Sequence, residues 1–159
     1  MNPFTSFDTE SKLSFALVWM DRFYRLVYQY TGGDTSLWRR DFLPSGPPSN
    51  NQTVELTNNS RATQPSFAAS WDPISGRWAL AYIRNDSGRT VELLGYPSVR
   101  IGSNQSHDTT QTFLSPYEQV DLDWNPLNGG WLFQGQLTDN RQVFVALDND
   151  FVQRAESAT

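Results

Sequence analysis

Apolar and polar residues alternate in three short stretches of the chain. Phe15, Leu17 and Trp19 share one side of Ser14–Trp19, Phe67, Ala69 and Trp71 one side of Ser66–Trp71, and Val120, Leu122 and Trp124 one side of Gln119–Trp124. Alternation at period two is the pattern of a half-buried strand, because successive side chains point to opposite faces. Each stretch is followed by a turn and a second apolar run, at Tyr24–Tyr30, Trp78–Arg84 and Trp131–Leu137. Gly, Asn and Asp then mark a further turn before third strands at Thr35–Arg39, Thr90–Leu94 and Gln142–Leu147. Longer polar loops lead on to short fourth strands near Thr53–Leu56 and Thr109–Leu114. No stretch has the 3.6-residue period of an amphipathic helix, so the pattern predicts an all-β chain.

These stretches are copies of one unit. The signature W-[DN]-P-x-[SN]-G-x-W runs from Trp71 to Trp78 and again, 53 residues on, from Trp124 to Trp131. The first copy, from Ser14, lacks the signature turn and has Tyr24 where the second Trp falls. Eighteen residues precede Trp19 and thirty-five follow Trp124, which together make one more repeat length. The chain therefore reads as repeats 14–65, 66–118 and 119–159, the last closed by residues 1–13. Its fourth strand is expected at Phe4–Phe7, with Phe7 at the position that Phe113 holds in the second repeat. Periods of this size belong to symmetric or stacked supersecondary units.

Three four-stranded units admit two architectures. A β-propeller needs four or more blades, so three leave open sheet edges. The expectation is half of a six-bladed ring, completed by homodimerisation. The alternative is a monomeric β-trefoil, which closes three such repeats within one chain.

Composition narrows the partners. The net charge is −5, and the only adjacent basic pair is Arg39-Arg40, so nucleic acid and anionic membranes are not expected. Aromatic residues make up 14% of the chain, six of them Trp, which suits aromatic packing or aromatic binding pockets. There is no cysteine and a single histidine, which leaves no disulfide framework and no recognisable metal site. Residues 1–20 show no signal-peptide pattern, and the expected location is the cytoplasm. Neither GxGxxG nor GxxxxGK occurs, and no cofactor is expected.

The hairpin YRLVYQYTGGDTSLW and its copy RWALAYIRNDSGRTVEL resemble the second and third strands of the fungal and bacterial fucose-specific lectins, which are β-propellers. Some bacterial members assemble a six-bladed ring from short chains. The resemblance implies a sugar site made by an Arg of the second strand, a Glu of the third and a nearby aromatic ring. Such a site binds sugar hydroxyls through charged groups and covers the apolar face of the sugar. It implies ligand-binding roles for Arg25, Glu92, Trp78, Trp131 and Tyr82. In the first repeat Leu37 falls where Glu is expected, in the second Ala79 where Arg is expected, and in the third Leu132 and Phe144 take both places. No single repeat keeps both charged residues.

Trp38 breaks the repeat pattern and is a further ligand candidate. Asp121 and Asp123 project from one face of their strand, where neighbouring carboxylates can form an acid/base pair. Their copies are Ala68 and Ser70, then Ala16 and Val18, so both carboxylates are private to the third repeat. With His107, in the loop SNQSHDTT, they are the catalytic candidates if the chain is an enzyme. Two functions follow as expectations. The first is a lectin-like protein that binds a carbohydrate or another small amphipathic molecule. The second is a cofactor-independent cyclase, isomerase or pericyclase built on the same ring, acting by shape and orientation.

Overall fold

The computed structural model describes residues 15–29, 36–46, 54–57, 66–84, 87–97 and 106–159. Among these, every regular element is a strand, and the strands form three separate four-stranded antiparallel sheets. The first sheet contains β1 (Phe15–Met20), β2 (Phe23–Gln29), β3 (Leu37–Phe42) and β4 (Val54–Glu55), in that order. The second contains β5 (Phe67–Trp71), β6 (Trp78–Ile83), β7 (Val91–Tyr96) and β8 (Thr109–Phe113). The third contains β9 (Tyr117–Asn125), β10 (Gly130–Leu137), β11 (Gln142–Leu147) and β12 (Gln153–Ala158). No strand is shared between sheets, and no common barrel of the trefoil kind forms among them.

The sequence repeat is a repeat of register. Trp19 lies opposite Tyr24, Trp71 opposite Trp78, and Trp124 opposite Trp131. The first hairpin turn explains the signature. Asp72 is buried, and its carboxylate accepts the backbone N–H groups of Ile74 and Ser75 at 2.7 and 3.2 Å. Asn125 accepts the N–H of Leu127 in the same way at 3.1 Å. Gly76 and Gly129 then take positive φ of 75° and 60°, a conformation that glycine adopts without steric cost. The first repeat turns within two residues instead, with Asp21 at φ 57°, so it has no use for the longer signature.

The sheets stack in sequence order. β5 lies beside both β1 and β9, and Ser66, just before β5, and Ser70 within it protect the free edge of β9: Ser66 Oγ accepts the Val120 N–H at 2.8 Å and Ser70 Oγ the Trp124 N–H at 3.0 Å. One core cluster fills the layer between the first two sheets, around Val18, Phe23, Val27, Trp78, Leu80 and Tyr96. A second fills the layer between the other two, around Ala79, Ile83, Leu93, Trp131, Phe133 and Val145. No core cluster among the described residues joins the first sheet to the third. Each sheet thus has a rear face, toward the preceding repeat, and a forward face, toward the following one.

Two strands depart from the sequence reading. The third strand of the first sheet lies at Leu37–Phe42 rather than Thr35–Arg39, and its buried face carries Leu37, Arg39 and Asp41. Buried charges there invert the usual polarity pattern. The strand beside β11 is β12, an edge strand exposed along its whole length. Residues 1–13, expected to fill that place, lie outside the described residues. No helix among the described residues is long and apolar enough to cross a membrane.

Candidate functional site

The layer between the first two sheets is the only described core that contains a charged cluster. It arises because β2 and β3 both turn charged side chains forward. Arg25 lies directly opposite Asp41, with Arg39 two residues along the same face of β3. Arg25 is fully buried and donates from Nε and Nη2 to the two oxygens of Asp41, both at 2.8 Å. Arg39 Nη1 donates to the same carboxylate at 3.3 Å. A bidentate pair of this kind fixes orientation as well as charge. Burial, reinforced by the neighbouring Arg25 and opposed by Asp41, pulls the Arg39 guanidinium down to about 10.

The second sheet supplies the opposite wall. The Arg25 guanidinium sits 4.7 Å from the ring of Trp78, which stacks on Tyr96 with centroids 4.1 Å apart and planes 10° off parallel. Tyr82 lies opposite Glu92 in the β6–β7 ladder and donates its hydroxyl to that carboxylate. Burial raises the Tyr96 phenol well above the usual tyrosine range; Glu92 adds to the shift, and Arg39 and Arg25 oppose it. His107 stands edge-on to Tyr96, with centroids 6.1 Å apart, at the exposed side of the layer. Among the described residues this layer holds two cations, Arg25 and Arg39, and two carboxylates, Asp41 and Glu92.

Three buried polar atoms in this layer have no hydrogen-bond partner: Arg25 Nη1, Trp78 Nε1 and Tyr96 Oη. They belong to residues in mutual ring or cation contact. Buried polar groups are rarely left unpaired, so a cluster of three calls for a specific explanation.

The structure brings four of the six expected ligand residues into one layer: Arg25, Trp78, Tyr82 and Glu92. Taken repeat by repeat, Arg25 and Glu92 belong to different, incomplete sites; stacking places them on facing sheets of the same layer. Asp41, Arg39 and Tyr96 were not singled out from sequence. The one available signal was the spacing of Arg39 and Asp41, two apart on a strand and so on one face. The ladder also moves two assignments. Trp38 lies opposite Tyr28 as Glu92 lies opposite Tyr82, so Trp38, not Leu37, holds the position of the Glu. The third-repeat counterpart, opposite Gly135, is Val143 rather than Phe144. Trp38 points to the rear face of the first sheet, away from Arg25. Trp131 is buried in the other layer against Trp124 and Phe151. Asp121 and Asp123 are exposed on the forward face of the third sheet, two sheets away from the layer that His107 borders. The three catalytic candidates are not brought together. Among the described residues no group of three or more His, Asp or Glu could hold a metal ion. Comparison with known protein families, curated proteins and solved structures found no match.

Proposed function

We propose that this chain is a lectin-like binding module, half of a six-bladed propeller that a second copy completes, and that the layer between its first two sheets binds a carbohydrate or a similarly amphipathic small molecule. The observation that carries the reading is that Arg25 of one sheet faces the same layer as Trp78, Tyr82 and Glu92 of the next, with its guanidinium over Trp78. These are the group types a sugar site uses, a cationic donor, a carboxylate acceptor and aromatic rings. Asp41 occupies Nε and Nη2 of Arg25 and leaves Nη1 for a ligand oxygen. Trp78 Nε1 and Tyr96 Oη, as buried as Nη1, would add two further contacts for a ligand that parts the layer at its exposed side. The balance of two cations against two carboxylates favours a neutral polyhydroxylated ligand, since an anion would unbalance a buried cluster. The half-buried Glu92 and the exposed His107 set the side from which such a ligand approaches.

The enzymatic alternative has less to draw on, because Asp121 and Asp123 stand on a different surface from His107. Titration calorimetry against neutral monosaccharides, fucose among them, tests the binding reading. Saturable binding that weakens roughly tenfold in Glu92→Gln, as loss of a charge-assisted hydrogen bond implies, is expected. Failure of fucosylated and other neutral sugars alike to bind the wild-type chain contradicts it.

A further inference from the structure

The rear face of the first sheet has the composition of a buried face. Phe15, Leu17 and Trp19 match Phe67, Ala69 and Trp71 of the second sheet and Val120, Leu122 and Trp124 of the third, by the shared hairpin register. In the second and third sheets these positions pack against the preceding sheet. In the first, Phe15 is 66% exposed and Trp19 43% exposed, with Tyr24 beside it 4.7 Å away. At the other end of the stack, the forward face of the third sheet exposes Leu132, at the position of Arg25 and Ala79.

The edge hydrogen bonds identify what covers the rear face. Ser66 and Ser70, on the forward side of β5, accept the Val120 and Trp124 N–H groups of the next sheet. One repeat on, their counterparts on β9 are Gln119 and Asp123, both with side-chain acceptors and both exposed. The N–H groups that correspond to Val120 and Trp124 on β1 are those of Phe15 and Trp19. Donors at one end of the stack thus meet acceptors at the other, in the same register and beside matching apolar residues. A free strand edge with this much apolar surface needs a partner to protect it.

Resting on the half-ring reading above, we infer that the rear face of the first sheet is the docking surface for the forward face of the third sheet of a second copy of this chain. In that contact Asp123 of one copy accepts the Trp19 N–H of the other, Gln119 accepts the Phe15 N–H, and Leu132 packs on Tyr24 as Arg25 packs on Trp78. A head-to-tail contact that closes on two copies uses both ends of each chain and leaves no sheet face bare. This gives Asp123 a positioning role at the interface.

The chain has no cysteine, so a pair can be placed in a clean background. The double variant Tyr24→Cys with Leu132→Cys changes two exposed side chains. With a thiol-reactive bis-maleimide of about 10 Å, the usual spacing of stacked sheets, it is expected to give a covalent dimer, while each single variant does not. Asp123→Leu is expected to weaken dimerisation roughly a hundredfold, because a ring of two copies makes the contact twice and each hydrogen bond to a charged acceptor contributes about tenfold, whereas Asp123→Ser, which restores the group that Ser70 provides, keeps it. If the wild-type chain has a two-chain native mass but the double variant links no better than the singles, these faces do not mate. If Asp123→Leu dimerises as tightly as wild type, the capping role is wrong. A wild-type chain with a single-chain mass overturns the half-ring reading and this inference together, whereas absence of sugar binding alone leaves the interface standing.

Discussion

Arg25 and Asp41 face each other across the β2–β3 ladder and meet through two hydrogen bonds of 2.8 Å, with both side chains buried. The pair is the centre of the buried charged cluster, with Arg39 beside it and aromatic and aliphatic side chains packed around it. Buried ion pairs of this kind are costly to break, because the surviving charge has no water to return to. Asp41→Ala would leave both Arg25 and Arg39 without their shared carboxylate. The expected loss is about 3–5 kcal/mol of folding stability, read as a fall in the urea midpoint. An unchanged midpoint would mean that the carboxylate does not hold the layer together.

Tyr96 separates stability from binding. Its hydroxyl is buried without a hydrogen-bond partner, so Tyr96→Phe removes an unsatisfied group and should change stability at pH 7 by less than about 1 kcal/mol in either direction. On the binding reading the same substitution weakens a sugar, because that hydroxyl is one of the ligand's contacts. A variant that binds as well as wild type would remove Tyr96 from the site.

The same phenol sets a pH dependence. Its folded pKa lies above the ordinary 10.0, so its contribution to stability is whole below pH 10. Above that, the unfolded chain releases a proton that the folded chain retains, and stability falls as pH rises. Arg39 acts in the opposite sense from about 10 up to its higher ordinary value, since there the unfolded chain holds the extra proton. Comparing wild type with Tyr96→Phe cancels most of the arginine effect. Urea titrations at pH 7 and above pH 10 should show wild type losing stability relative to the variant at the higher pH. Parallel behaviour of the two proteins would contradict the assignment.

The third sheet has a glycine that its backbone requires. A Cβ on Gly130 would stand 2.0 Å from the carbonyl oxygen of Leu147 on the neighbouring strand. Because the obstacle is backbone, β10 and β11 would have to part at the Trp131 end. Gly130→Ala is expected to cost about 1–3 kcal/mol, the usual range for overpacking. Thermal melts would check it, and a wild-type melting temperature would show that the strands can separate there freely.

Ser66 and Ser70 give a smaller, additive effect. Each accepts one backbone N–H from β9, and replacing either by Ala should cost about 1 kcal/mol, the usual net value of such a bond. Denaturant melts of the two single variants and the double would show the sum, since the two bonds share no atoms.

The parts legible in the sequence are those where one physical signal dominated. Alternation about Trp19, Trp71 and Trp124 located the first strands, and Asp72 and Asn125 located turns that the side chains themselves build. β3 was misplaced because its buried face holds Arg39 and Asp41, so hydropathy pointed the wrong way. β12, the segment QRAESA, is polar and exposed throughout, and only its ladder to β11 makes it a strand. The site was half legible. The resemblance singled out Arg25, Glu92, Trp78 and Tyr82 as candidates, but a reading confined to each repeat could not place on one layer residues that share it only because one sheet stacks on the next.

Phe15, Leu17 and Trp19 are exposed on the rear face of the first sheet, and the native mass in dilute solution tests directly whether a second copy covers them. Native mass spectrometry or light scattering at low micromolar concentration should give twice the mass of one chain. A stable single-chain species would mean that the rear face of the first sheet needs no second copy, and the half-ring would not stand.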